Sequence, residues 1–200
     1  MSGFMGAAEE PAAEDAFNAR AAQMPGVTFQ EVADSSRSDI RIGFGDFDAA
    51  NTGVVGLTGF NEANGQIETG TIVRVEDTAE TALVLDDDGL DVYAGTDATL
   101  TQVLEHEIGH ALGLGDNSDI NSIMNYDLTS SNQTLDATDV AGISSLYGSS
   151  ATVSTSNAGV NQLIQAMATF ETGTGAVDSS LVAPNVQGNG VMLVSVLPSK

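Results

Sequence analysis

The sequence predicts an α+β fold followed by a C-terminal tail, and three observations carry that expectation. Short β-branched stretches with period-two alternation crowd the first 75 residues, apolar residues at helical spacing follow them, and the composition changes near residue 150. A chain of 200 residues with 42% hydrophobic content has enough apolar surface for one core and too much for wholesale disorder.

The elements follow in order. From Pro11 to Met24 the pattern reads as a helix, with proline in a tolerated first-turn position, acids early, and Pro25-Gly26 as the stop. Val27 to Val32 alternates and is β-branched, which predicts a strand; Asp39 to Phe44 predicts a second. Val54 to Phe60 is a third, the cluster Asn61–Gly65 a turn, and Thr71 to Val75 a fourth strand. Asp86 to Asp91 is a loop of carboxylates. It offers oxygens to calcium or is simply a solvated loop, and it lacks the spacing of an EF-hand. Thr96 or Asp97 caps a helix running to about Leu112, with Leu100, Val103, Leu104 and Ile108 as its stripe. Asp136 to Tyr147 is the last helix of this part, stopped by Gly148. A Ser/Thr/Ala linker, an amphipathic segment from Val160 to Phe170 and an apolar run from Val191 to Leu197 make up the tail, so the expected division is 1–148 and 149–200.

Charge and missing residue types remove whole classes of function. Acids outnumber Lys and Arg 28 to 5, a net charge of −23, which repels nucleic-acid backbones and anionic membranes. Without cysteine there is no disulfide scaffold, thiolate zinc site or cysteine nucleophile. No apolar run is long enough to span a membrane. The start, Met1-Ser2-Gly3-Phe4-Met5-Gly6, has neither the basic nor the apolar region of a secretory signal peptide. Chemistry is left to oxygen and imidazole.

The chain has two histidines, and both lie in His106-Glu107-Ile108-Gly109-His110. Four residues apart on a helix they share a face, so both imidazoles can meet one ion, with Glu107 able to reach a water beside it. Peptide hydrolysis needs this combination: a Lewis acid, an acidified water and a carboxylate to take its proton. The third ligand must be a carboxylate or water. A thermolysin-like glutamate is excluded, since no Glu lies between Glu107 and Glu171, and a deformylase-like site is excluded with cysteine. Gly113 allows a positive φ and a sharp bend that returns Asp116 to the ion; Asp119 and Asp127 are rivals without that spacing.

With these residues in view, the chain resembles the metzincin zinc endopeptidases over roughly residues 10 to 148. His106 to Gly115 is close to the extended zinc motif of serralysins and matrixins, and Ser122-Ile123-Met124-Asn125-Tyr126 resembles their Met-turn. Asp136 to Gly148 is similar to the helix that closes their catalytic domain. Asp116 stands where those families carry a third histidine, as in snapalysin-like metzincins; it lowers the charge of the site by one and predicts a weaker Lewis acid.

The resemblance implies a twisted mixed sheet over an active-site helix, with zinc on His106, His110 and Asp116. Glu107 is then the general base activating a zinc-bound water, and Met124 the apolar floor. Tyr126 is implied as a resting ligand that swings to the oxyanion, its plainer reading being a tyrosine packed beside the turn. Substrate polypeptide is implied to lie antiparallel to an edge strand, best matched by Gly53–Phe60. Serralysins leave the cell by a type I exporter reading an uncleaved C-terminal signal, so the resemblance implies a secreted peptidase; the Ala/Ser-rich composition of the linker and the N-terminus predicts self-cleavage near one or the other. Their calcium-binding repeats are absent here. The tail then reads as an export signal, as a packing element adding a strand, or as an inhibitor lying in the cleft. The alternative to an enzyme is an exported calcium- or partner-binding protein that keeps a metzincin shell.

Overall fold

The computed structural model describes residues 5–148 and the backbone of residues 189–195. All of them fall in one compact unit, Met1–Ser150 with Gln187–Lys200. The expected linker and the amphipathic segment from Val160 lie outside the described residues.

Helix α1 spans Glu10–Ala21, with proline in its first turn and Arg20 in its last. It ends earlier than the sequence predicts, and the chain turns through a bond from the Met24 amide to the Ala21 carbonyl. Residues 27–32 do not form the expected strand. Alternation there is satisfied by packing instead: Val27 and Phe29 lie against the core, Phe29 at 4.7 Å from the ring of Phe17, while Val32 is exposed. A strand needs a partner's backbone as well as the right side chains, and among the described residues no strand pairs with this segment.

The main sheet is mixed. Strand β1 (Ile40–Gly45) runs parallel to β4 (Thr71–Glu76), and β4 is antiparallel to β2 (Val54–Ala63). Between β1 and β2 lies the one-turn helix α2 (Ala49–Thr52). Strand β2 overruns its expected end at Phe60 and forms a hairpin with β3 (Gln66–Ile67). The turn is Asn64-Gly65, both at positive φ (55° and 76°), the backbone that a two-residue hairpin loop demands. The carboxylate loop closes a second, small hairpin of β5 (Leu83–Leu85) and β6 (Asp91–Tyr93). There Asp86 Oδ1 accepts the amides of Asp88 and Leu90. On its other side from β4, β2 carries β7 (Asn189–Ser195) in antiparallel pairing.

Helix α3 (Leu100–Ala111) lies beneath this sheet and is buried along almost its whole length. Its N-cap is Thr99, three residues beyond the expected Thr96, because Thr99 and Gln102 make a reciprocal capping box. Thr96 instead donates to the Tyr93 carbonyl. Leu100, Val103, Leu104 and Ile108 meet Ala16, Met24, Val55, Val75 and Ile143 in the core. Helix α4 (Ala137–Tyr147) is capped by Asp136, expected as its first residue, and stops at Gly148, as the sequence predicts. Among the described residues no helix is long and apolar enough to cross a membrane.

Candidate metal centre

His106 and His110 leave the same face of α3 with their Nε2 atoms 2.8 Å apart. Each ring is oriented from behind by a different loop. His106 Nδ1 lies 2.7 Å from the Ile123 carbonyl and His110 Nδ1 lies 2.9 Å from that of Leu114. Carbonyls only accept, so both Nδ1 atoms carry the proton and both Nε2 atoms present a lone pair forward. Burial lowers the His106 pKa and keeps the imidazole neutral.

After Ala111 the chain reverses at Gly113, whose φ is 94°. The Gly113 amide bonds to the His110 carbonyl and the Leu114 amide to that of Gly109, each at 3.0 Å, the paired bonds of a Schellman turn. One bend therefore does two things: its Leu114 carbonyl fixes His110, and its continuation brings Asp116 Oδ1 to 3.4 Å from both Nε2 atoms. Among the described residues, His106, His110 and Asp116 form the group of metal-type donors whose ligand atoms converge, all within 4.8 Å of one another. Asp119 is committed elsewhere, to the Asn121 amide and the Thr138 hydroxyl. Asp127 and the Asp86–Asp91 loop lie outside the group.

This donor set fits zinc. Tetrahedral coordination with bonds of about 2.0–2.1 Å spaces ligand atoms roughly 3.3 Å apart, which matches both imidazole–carboxylate separations of 3.4 Å, while the two Nε2 atoms, at 2.8 Å, would spread by about half an ångström around the ion. Two neutral imidazoles and one carboxylate, each anchored, suit that ion.

Glu107 is buried beside this group, under β2. The Thr58 hydroxyl donates to Glu107 Oε2 at 2.6 Å, and Oε1 is buried with no hydrogen-bond partner. Desolvation pushes the carboxyl up to about 7, against the lowering effect of His110 and Thr58. Gly56, on the same strand, leaves room for it: a Cβ there would sit 2.8 Å from Glu107 Cγ. Met124 is buried below the helix with its sulfur against Gly109, and Tyr126 is half exposed just beyond it.

Four contributors escape sequence reasoning. Thr58 and Gly56 shape the Glu107 site from 49 or more residues away. Asp139 on α4 accepts from the Ser122 hydroxyl and from the amides of Ile123 and Met124, gripping the turn that orients His106. Arg20, fully buried, donates to the Glu105 carbonyl at 2.7 Å and to the Met124 sulfur at 3.2 Å. The Asp136-x-x-Asp139 capping pattern signals a helix start but says nothing of the turn that Asp139 reaches.

Two imidazoles from one buried helix and a carboxylate returned by the next bend converge as a group that could hold a metal ion, and the mixed sheet above the helix is that of the metzincin fold. The chain belongs to the matrixin family of M10 peptidases, whose model matches residues 4–148. It is 36% identical over 130 residues to Metalloendoproteinase 1-MMP of Arabidopsis thaliana, covering 61% of this chain and 33% of that protein. It is 35% identical over 131 residues to the hatching enzyme of Paracentrotus lividus, covering 63% of this chain and 20% of that protein. The matched part thus spans about a third and a fifth of these relatives.

Proposed function

We propose that the protein is a secreted zinc endopeptidase that hydrolyses polypeptides, with His106, His110 and Asp116 as metal ligands and Glu107 as the proton carrier. The observation that carries this is the meeting of three anchored donor atoms within 4.8 Å beside a buried carboxylate with one unpartnered oxygen. Zinc held there supplies Lewis acidity to the scissile carbonyl and lowers the pKa of water at the site.

The chain's own residues do the rest. Thr58 holds Glu107 Oε2, leaving Oε1 to take a proton from the attacking water and return it to the leaving amine. Burial pushes that carboxyl up to about 7, and the charge of a bound zinc would draw it back toward the carboxylate that takes the proton. An aspartate as third ligand makes the centre one charge less positive than three histidines do, and modest turnover follows. Tyr126, exposed at the end of the turn, is the residue we assign to the developing oxyanion. Export by a type I route belongs to the same reading on the serralysin resemblance, and calcium at Asp86–Asp91 and self-cleavage near the 149–157 linker or the N-terminus belong to it on composition.

The test is Glu107→Ala in the zinc-loaded protein. Casein hydrolysis should fall by about two to four orders of magnitude, the contribution general-base catalysis makes. Bound zinc, measured by elemental analysis, should stay at one per chain. Equal activity in mutant and wild type would favour a binding protein on a metzincin shell.

A further inference from the structure

Strand β2 has two edges. One is taken by β4, from Gly56↔Val75 to Gly59↔Ile72. The other is the edge on which a peptide could add as a new strand, and it runs directly above the site, because Gly56 and Thr58 are the residues that touch Glu107. In this chain that edge is covered by β7, antiparallel, in a register that pairs Gly56 with Val194, Leu57 with Leu193 and Thr58 with Met192. Strand β7 also passes close to α3, the helix that carries both histidines. Its residues, Asn189-Gly190-Val191-Met192-Leu193-Val194-Ser195, come from beyond the matched family region, which ends at residue 148. The strand is therefore an addition to the catalytic sheet and not a part of it that the family supplies.

We propose that residues 189–195 are a built-in competitor that holds the peptide-accepting edge of β2, so that extended apolar substrates enter only when this strand leaves. The proposal rests on the peptidase reading above. Its physical basis is that an added antiparallel strand and a substrate strand satisfy the same row of β2 amides and carbonyls, and only one can do so at a time. The pairing adds one edge strand at the end of a long connection, so detaching it leaves the order β1-β4-β2-β3 intact. Tethering sets the strength: at an effective concentration on the order of 1 mM, a strand with a Kd of about 0.1 mM weakens a competitor's apparent affinity roughly tenfold.

The experiment uses the full chain with Met192→Pro and Leu193→Pro together. Successive residues aim their N–H groups at opposite edges, so one of the two prolines removes a donor facing β2 whichever it is. Hydrogen exchange of residues 54–61 should speed up in the double variant and slow again when the free peptide Asn189–Ser195 is added. In a Glu107→Gln background, which separates binding from cleavage, a fluorescent extended apolar peptide should bind about tenfold tighter with the two prolines than without them. For hydrolysis, KM should fall by the same factor, with kcat within about twofold and zinc content unchanged.

Unchanged exchange in 54–61, or a lower thermal midpoint with no gain in peptide binding, would make β7 a permanent strand and overturn the proposal. Tighter peptide binding with no hydrolysis in either protein would leave the competitor standing and remove the peptidase reading. Hydrolysis with equal KM in both would do the reverse.

Discussion

Gly56 and Arg20 show how single residues on opposite sides of α3 set the centre. Above the helix, a Cβ at position 56 would stand 2.8 and 2.9 Å from Glu107 Cγ and Cδ, closer than carbon atoms approach. The cost falls on the placement of the carboxylate, since Gly56 sits in an extended strand where alanine has no backbone strain. Gly56→Ala should therefore cut kcat/KM by about a hundredfold, the loss that a displacement near 1 Å can cause, while zinc stays bound. Measuring kcat/KM and zinc content side by side checks this. Below the helix, Arg20 is a buried guanidinium that burial lowers to about 10, so it keeps its charge at neutral pH. It ties α1 to the Glu105 carbonyl and to the Met124 sulfur, and its Nη1 has no hydrogen-bond partner. Arg20→Ala would empty a large volume and strip the Glu105 carbonyl of its donor, an expected loss of about 3 kcal/mol in chemical denaturation.

At the scale of elements, the centre is a helix, a bend and a turn held in mutual register, and α4 supplies the clamp. Asp139 caps its own helix by accepting the Asp136 amide, and with the same carboxylate it accepts the Ser122 hydroxyl at 2.5 Å and the Ile123 amide at 2.9 Å. The Ile123 carbonyl in turn orients His106. Asp139→Ala should then act on two observables at once. Stability should drop by about 2–4 kcal/mol for an emptied buried network. Zinc affinity should weaken roughly 10–100-fold through the loosened His106 partner; thermal denaturation and a chelator competition read the two effects separately. These links also mark what could be read from the sequence and what could not. Helix α3, its histidine pair and the Gly113 bend were legible because their signals are local: spacing of four, and a glycine where φ must be positive. Helix α4 was legible from the helical spacing of Val140, Ile143 and Leu146 and from its Gly148 stop. The strand expected at 27–32 failed because alternation reports half-burial, which packing on α1 also satisfies, and not a hydrogen-bonding partner. Thr58 and Asp139 were invisible as site residues because their contacts, 49 and 17 residues away in the chain, exist only after the sheet and helices have docked.

For the whole molecule, the excess of acid also shapes stability at high pH. Tyr93 is completely buried where β6 meets the sheet, and its hydroxyl donates to the Glu76 carbonyl at 2.9 Å, joining the small hairpin to β4. Desolvation raises its pKa far above the ordinary value, and the negative charges of Glu76, Asp77 and Glu9 raise it further. In the unfolded chain the same phenol releases its proton near pH 10. Below that pH both states hold the proton and stability is undiminished. Above it the folded state binds a proton that the unfolded state has lost, so stability falls as pH rises, by about 1.4 kcal/mol per pH unit for one such group. Tyr147, whose hydroxyl donates to the Leu112 carbonyl, is raised by burial in the same direction and adds to the slope. Tyr93→Phe should lose about 1 kcal/mol at neutral pH with its hydrogen bond, yet show a shallower decline above pH 10 than the wild type. Urea titrations at intervals between pH 8 and about 11.5 would show the two stability curves converging; parallel curves would mean that Tyr93 ionises freely in the folded protein.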